Sequence, residues 1–421
     1  MEGYRSKIWF LATISLLVQT GFGIIFPLFP KLLENEGQGA VGLGILAAAF
    51  GVTTVIFSPI FGAWADRYGK KKVIITGLTG FTISNLLYLV ASLIDSFILL
   101  VIARVIEGTF AAAVFPPAIA LVSDIVPEDQ RAKNIGMITA GAGIGLVAGP
   151  VLGGFFYKVS LQFPFLISAM LGIFTVIWGK FVLPEGKILT KVSNSEVTSS
   201  LLKRIQNKFK DQISSIPNPR YVFLLFILVD GSQILSWMIV EPGFSFYIYD
   251  SLALQPQDFG LFIAAYGLFV AIGEGLLGSL SDKFGRRPLI LLGSVLMIVF
   301  YGYLIFAKTT VDLIIAASIG GIGLGFIGPA MKALISDASA AESRATVIGL
   351  ETGIVFTTLI FGPIFGGYLY EWTSMKFVLQ ASIGICIFGA ICAFGIKFDN
   401  PVIATIQHEY SETNTIPSLG K

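Results

Sequence analysis

The sequence predicts an all-α polytopic membrane protein, with twelve transmembrane helices arranged as two pseudo-symmetric six-helix bundles. Three observations carry that expectation. Of the 421 residues, 55% are hydrophobic and only 13% charged, with a mean hydropathy of +0.82, whereas a soluble domain carries roughly 25% charged residues. Apolar runs of the roughly 20 residues needed to cross a bilayer recur along the whole chain. The second half of the chain repeats the pattern of the first.

Read between charged or Pro/Gly-marked breaks, the spans fall at 8–29, 40–64, 73–94, 97–123, 134–157, 162–183, 221–248, 259–280, 288–307, 311–336, 346–369 and 377–397. The first run is too long for a signal-peptide core and lacks a small-residue cleavage pattern, so it reads as an uncleaved span. No other connection resembles 184–219, where Lys187, Lys191, Lys203, Arg204, Lys208 and Lys210 lie among serines and asparagines. That stretch reads as a polar linker, in part an amphipathic helix. The chain thus divides into an N-terminal bundle at 1–183, the linker at 184–219, a C-terminal bundle at 220–398 and a cytoplasmic tail at 399–421. The 47 glycines suit helices packed in lipid, where small residues let backbones approach.

Basic residues set the orientation, because cytoplasmic loops are enriched in them. With the N-terminus inside, they gather in the even-numbered connections, the linker and both tails. The opposite face holds only Lys31, Lys158, Lys308 and Lys376, and Arg104 and Lys332 lie within spans. Both termini are therefore expected in the cytoplasm, with the chain in the cell membrane. A net charge of +2 gives no reason to expect nucleic acid as a partner. Cys386 and Cys392 share one apolar run, can staple nothing and lack metal-site spacing, so they read as small buried apolar residues. The one histidine, His408, lies in the polar tail. Proton chemistry within the membrane must rest on carboxylates.

The internal repeat is detailed. Gly62, Asp66, Arg67, Gly69, Lys70 and Lys71 after the second span are answered by Gly278, Asp282, Lys283, Gly285, Arg286 and Arg287 after the eighth. Pro116, Asp124 and Arg131 are answered by Pro329, Asp337 and Arg344. Gly149, Pro150, Gly153 and Gly154 are answered by Gly362, Pro363, Gly366 and Gly367. Such internal symmetry is a common construction of transporters. The glycines permit a tight turn and close helix contact, while acid and base can bridge neighbouring helix ends.

These residues resemble the major facilitator superfamily over nearly the whole chain. Gly62 to Lys71 looks like that family's signature between spans two and three, with a degenerate copy at Gly278 to Arg287. The resemblance implies that Asp66 and Arg67 help latch the cytoplasmic side in the outward-facing state, with Asp124 as partner of the basic cluster. The alternative is a solvated turn that merely obeys the charge rule. Arg104 to Gly108 resembles the arginine motif of proton-linked members, although Glu107 stands where glutamine is more usual. Gly145, Gly149, Pro150, Gly153 and Gly154 resemble the motif associated with antiporters and exporters. Pro150 bends the helix, and the glycines pack at the bend; a generic kinked helix would look similar.

Charges inside a bilayer cost about 2.5–3.5 kcal/mol each on insertion scales and face a cavity or a partner. Arg104 and Glu107, three apart on one helix, can pair, either for coupling or as a structural ion pair. Asp230, Gln233, Trp237 and Glu241 fall on one helical face that is expected to look inward. Glu241, beside Pro242 toward the outer end, is expected to be wet, which leaves Asp230 as the better proton carrier. Glu274 and Lys332 can bridge, or Lys332 can snorkel. Glu351 is expected to be interfacial.

The leading functional expectation is a proton-driven antiporter exporting small apolar or amphiphilic compounds, resembling the drug-export branch of the superfamily. A nutrient symporter or facilitator, or a lipid or glycolipid translocase, is the alternative; two cavity arginines would favour organic anions, and only Arg104 qualifies. No HExxH, GxSxG or phosphate-cradling GxxxxGKS/T pattern points to an enzyme. No cofactor or metal is expected. The partners are a small molecule, protons and the bilayer, with each chain expected to work as a monomer.

Overall fold

A computed structural model describes residues 5–127, 130–185, 226–277, 285–337 and 344–395. Most of the linker, Asp282, His408 and the C-terminal tail lie outside the described residues, as do the side chains of Asp337, Arg344 and Glu351.

Twelve helical passages run through the described residues, and all of their regular structure is helical. The first is α1 (Arg5–Ile25), which passes through a single turn at Phe26–Leu28 into α2 (Phe29–Asn35). Pro27 and Pro30 explain the break, since each removes an amide donor from the helical ladder. Then follow α3 (Ala40–Tyr68) and α4 (Lys70–Ile94). The fourth passage was expected as one run and is instead α5 (Phe97–Ala111) followed by α6 (Phe115–Ile125). Here Pro116 and Pro117 restart the helix. The N-terminal half closes with α7 (Arg131–Tyr157) and α8 (Phe163–Val182). In the C-terminal half, a wide turn at Phe226–Asp230 leads into α9 (Gly231–Asp250). It is followed by α10 (Pro256–Leu277), α11 (Arg286–Leu304), α12 (Thr310–Asp337), α13 (Arg344–Trp372) and α14 (Met375–Gly395).

Ten of these passages are long and apolar enough to cross a bilayer; the other two are α9 and α13. Large apolar side chains such as Phe155, Phe181, Phe361, Phe388 and Ile391 stay exposed along the helices. Exposed apolar surface on that scale needs a covering partner, and lipid supplies one.

The halves use the same contact scheme. In the first, α1 packs on α7 and α8, α3 on α5, and α4 on α5 and α8. In the second, α9 packs on α13 and α14, α10 on α12, and α11 on α12 and α14. The halves meet along two seams, α3 against α13 and α7 against α10. Both copies of the repeated loop turn at a glycine, with φ of 96° at Gly69 and 86° at Gly285. That left-handed backbone is what glycine alone adopts readily.

Candidate functional site

The charged centre of the N-terminal half is built from α4 and α5. Arg104 and Glu107, one turn apart, pair at 2.6 Å from Nη1 to Oε2. Tyr88 on α4 donates its hydroxyl to the same Oε2, also at 2.6 Å. Arg104 gives its Nε–H to the Leu46 carbonyl of α3 at 3.3 Å. Its guanidinium lies over the rings of Phe50, Phe29 and Phe22, at 4.6, 5.0 and 5.5 Å from their centroids. Arg104 is 6% exposed, Glu107 2% and Tyr88 0%. A buried pair is held only when further hydrogen bonds satisfy it, and the tyrosine and the carbonyl do so. Tyr88 was not foreseen. Its only sequence signal was a cluster of polar-capable residues, Ser84, Asn85 and Tyr88, within an apolar run.

On α9 the four residues expected on one face part company. Glu241 is not wet but buried, at 7% exposure. Arg104 of the other half lies within electrostatic reach of its carboxylate. Trp237 stacks on Tyr266 at 5.6 Å and 12° and borders Phe262 and Phe300. Gln233, 1% exposed, points into the helix packing. It donates to Ser294 Oγ of α11 at 3.3 Å and accepts the Cys386 thiol of α14 at 3.4 Å. Cys386 also reaches Ser236 Oγ at 3.3 Å, and Ser236 and Ser382 exchange hydroxyl-to-carbonyl bonds. Cys386 is buried, as its sequence context suggested, and it is also a hydrogen-bonding member of this network. Asp230 stands at the first turn of α9 and is buried.

Glu274 and Lys332 do not meet: both are exposed, and no ion pair joins them among the described residues. The Glu274 carboxylate lies instead beside Gly328 of α12. In the loop after α3, the partner of Asp124 is Lys70, at 2.9 Å, and Lys70 also reaches Asp66 at 3.6 Å. Lys70 is buried while Asp66 is exposed. The Arg67 guanidinium covers the Tyr68 ring at 5.1 Å. In the second copy, Arg287 donates to the Phe394 carbonyl, and Arg286 begins α11.

The glycines of α7 form a close backbone contact with α1. A Cβ on Gly145 would strike the Leu16 carbonyl, one on Gly149 would stand 2.7 Å from Gly23 Cα, and one on Gly153 would strike the Ile24 carbonyl. All three lie against α1, where small residues allow the backbones to touch. Gly154 faces the other way and abuts Gln257 of α10, while the Pro150 carbonyl abuts Gly260. The second half repeats this division of labour. Gly366 packs on Ile239 of its own half, and Gly367 on Ala40 of the other.

Several contacts between the halves lie at the end opposite the Gly62–Lys71 turn. Tyr249 Oη donates to the Pro27 carbonyl at 2.6 Å, and Phe26 stacks on Phe259. At the start of α3, Gly39 offers no side-chain cap. The Glu371 carboxylate of α13 accepts the Val41 amide at 2.9 Å instead. A helix N-terminus with orphan amides favours a negative charge, so one half caps a helix of the other.

Two helical bundles of shared packing, seamed along α3–α13 and α7–α10 and burying charged side chains in both halves, have the architecture of a membrane transporter. The family profile described as Major Facilitator Superfamily matches residues 11–231 and 227–412. The chain belongs to that superfamily. It is 27% identical over 388 residues to the quinolone resistance protein NorA of Staphylococcus aureus, covering 92% of this chain and 95% of that protein. It is 28% identical over 369 residues to the class E tetracycline resistance protein of Escherichia coli, covering 86% and 87%. Among solved structures, a bacterial homologue of the human lysosomal transporter Spinster, inward-facing and unoccupied, superimposes with a TM-score of 0.72. That match has 18% identity and covers 97% of this chain and 99% of that one.

Proposed function

We propose that this transporter is a proton-coupled antiporter that exports small apolar or amphiphilic compounds across the cell membrane, with both termini in the cytoplasm. The observation that carries the reading is a buried charge in each half: the Arg104–Glu107 pair in one, and in the other Glu241, one turn along α9 from Trp237, which stacks on Tyr266. A carboxylate there has two states: neutral with a proton, or charged and attracted to Arg104. Switching between them changes the force between the halves, which is what proton-driven rocking about a fixed site requires. Cargo stacked on the aromatic wall would displace the proton; return of the proton would release the cargo. Glu241 is preferred to Asp230 as the carrier. At 1.5 Å per residue, Asp230 sits roughly 16 Å further along α9 and so far from Arg104.

The names of the relatives, which speak of quinolone and tetracycline resistance, support amphiphilic ring compounds as cargo. The basic residues of the turn after α3 support a cytoplasmic side there, so the seamed end is taken as outer and the conformation as inward-facing. The test is quinolone transport by purified protein in liposomes with an imposed pH gradient. Antiport requires accumulation that follows the gradient and a matching change of lumen pH. Quinolone flux indifferent to the gradient would replace antiport by facilitated diffusion.

A further inference from the structure

Where α9 ends and α13 turns into α14, a cavity of about 540 Å³ opens at the seamed end of the C-terminal half. The antiport scheme makes no use of it. We infer that it is a binding site for a small zwitterion with an ammonium, a carboxylate and an aromatic or apolar body, and that its occupation holds the α3–α13 seam closed. The inference is independent of what the transporter carries.

The charges of the wall come first. Glu371 and Lys376 both line the cavity, yet neither belongs to an ion pair among the described residues. Glu371 is positioned from the other half, since its Oε1 accepts the Val41 amide at 2.9 Å. Its second oxygen has no donor among the described residues, so an acceptor is held ready at a fixed place, which lowers the cost of binding. A direct pair between Glu371 and Lys376, both exposed, would contribute little, so it competes weakly with a ligand. A molecule with both charges answers both groups. One with a single charge leaves the other group without a partner.

The rest of the wall limits the body of that molecule. Tyr247, Ser251 and Tyr370 present hydroxyls that make no hydrogen bond among the described residues. Met375 and Leu379 are buried and give an apolar floor, and the Tyr370 ring rests against Gly243 of α9. Apolar and aromatic walls with a few polar groups are the usual make-up of a small-molecule pocket, and the volume lies in the usual range. An inorganic ion would leave those walls uncovered, whereas an aromatic amino acid covers them. Because the Val41 amide places Glu371, the site is complete only while α13 caps α3. A ligand that binds one conformation better shifts the population toward it, so occupation favours the closed seam.

Phenylalanine is the probe. Calorimetric titration of the purified full chain in detergent at neutral pH compares it with phenylalaninamide, which lacks the carboxylate, and with phenylpropionate, which lacks the ammonium. Phenylalanine should bind saturably and each analogue about tenfold more weakly, the scale of a lost hydrogen bond to a charged group. Lys376→Met should lower phenylalanine to the affinity of the amide. Glu371→Gln, which keeps an oxygen for the Val41 amide, should lower it to that of phenylpropionate. In the wild type, hydrogen exchange over the first turn of α3 should slow by about tenfold at about ten times the Kd. No saturable binding, equal affinity for the three compounds, or undiminished affinity in either variant overturns the site. Binding without slower exchange at α3 overturns its hold on the seam. None of these readings involves transport, so a failure of the antiport reading and a failure of this one are told apart.

Discussion

In the N-terminal half the buried polar interior is ionic, with Arg104, Glu107 and Tyr88 joined by 2.6 Å bonds under three phenylalanine rings. In the C-terminal half the hydrogen-bonded cluster is neutral, a mesh of Gln233, Ser294, Cys386, Ser236 and Ser382 whose side-chain-to-side-chain contacts are 3.3–3.4 Å, in a half that also buries Asp230 and Glu241. Yet the backbones pack alike, down to the paired glycines that divide their contacts between own half and other half. The difference teaches where duplication constrains a transporter. Close backbone contacts leave no room for change, whereas side chains in the interior diverged into a buried ion pair on one side and, on the other, a neutral network in a half that buries the carboxylates Asp230 and Glu241. An ion pair duplicated in both halves would give no such asymmetry.

Attacking the shared backbone contact is expected to have the largest effect. Gly153→Leu drives a side chain into the Ile24 carbonyl of α1, at more than about 3 kcal/mol, since backbone cannot retreat as a flexible side chain can. Size-exclusion chromatography of the detergent-extracted protein should show loss of the monodisperse peak. Gly136→Leu, on the same helix, points into open space and should leave that peak intact. The two polar interiors come next. Arg104→Ala strands a buried Glu107, for which about 3–5 kcal/mol is the usual scale, while Gln233→Ala removes neutral bonds worth about 1 kcal/mol. Thermal unfolding in detergent should rank them in that order, and equal losses would erase the distinction between ionic and neutral halves.

The two seams differ as well. At the α3–α13 seam Glu371 caps the other half's helix, whereas at α7–α10 the contacts around Gly154 and Gly260 are backbone against backbone. Glu371→Ala should weaken the first seam by about 1 kcal/mol. Hydrogen exchange over the first turn of α3 is then expected to quicken roughly fivefold, with the start of α10 unchanged. The smallest effect concerns Glu36, in the connection before α3. Burial and the nearby charge of Asp95 raise its pKa above 4.5. A raised carboxylate opposes folding when ionised, so this penalty is absent at low pH and grows as pH rises past the unfolded value. Glu36→Gln should therefore stabilise by a few tenths of a kcal/mol at neutral pH, at the low end for exposed charges. Below about pH 4 the gain should vanish. Thermal unfolding across pH would show it.

Much of this was legible in the residues. Hydropathy located the passages because lipid demands an unbroken apolar run, and the repeat placed Gly69 and Gly285 at turns that only glycine makes easily. Arg104 and Glu107 were legible as a pair because their spacing is local. Tyr88 was not, since its bond to Glu107 spans two helices and a tyrosine in an apolar run carries no periodic signal. Gln233 misled for a related reason. Steps of three and four put it on the face of Trp237 and Glu241, but that face is wide enough to be shared between the interior and the seam with α11 and α14. The breaks at Pro27, Pro30 and Pro116 were visible as prolines, and hydropathy alone read through them. Glu241 was misplaced because depth along a helix says nothing of what packs around it.

The most direct test of the asymmetry is proton release in weakly buffered detergent solution when a quinolone is added to the purified protein. If Glu241 exchanges its proton for cargo against a fixed Arg104–Glu107 pair, the wild type and Glu107→Gln release protons on binding and Glu241→Gln releases none. Release that persists in Glu241→Gln and disappears in Glu107→Gln would contradict the account.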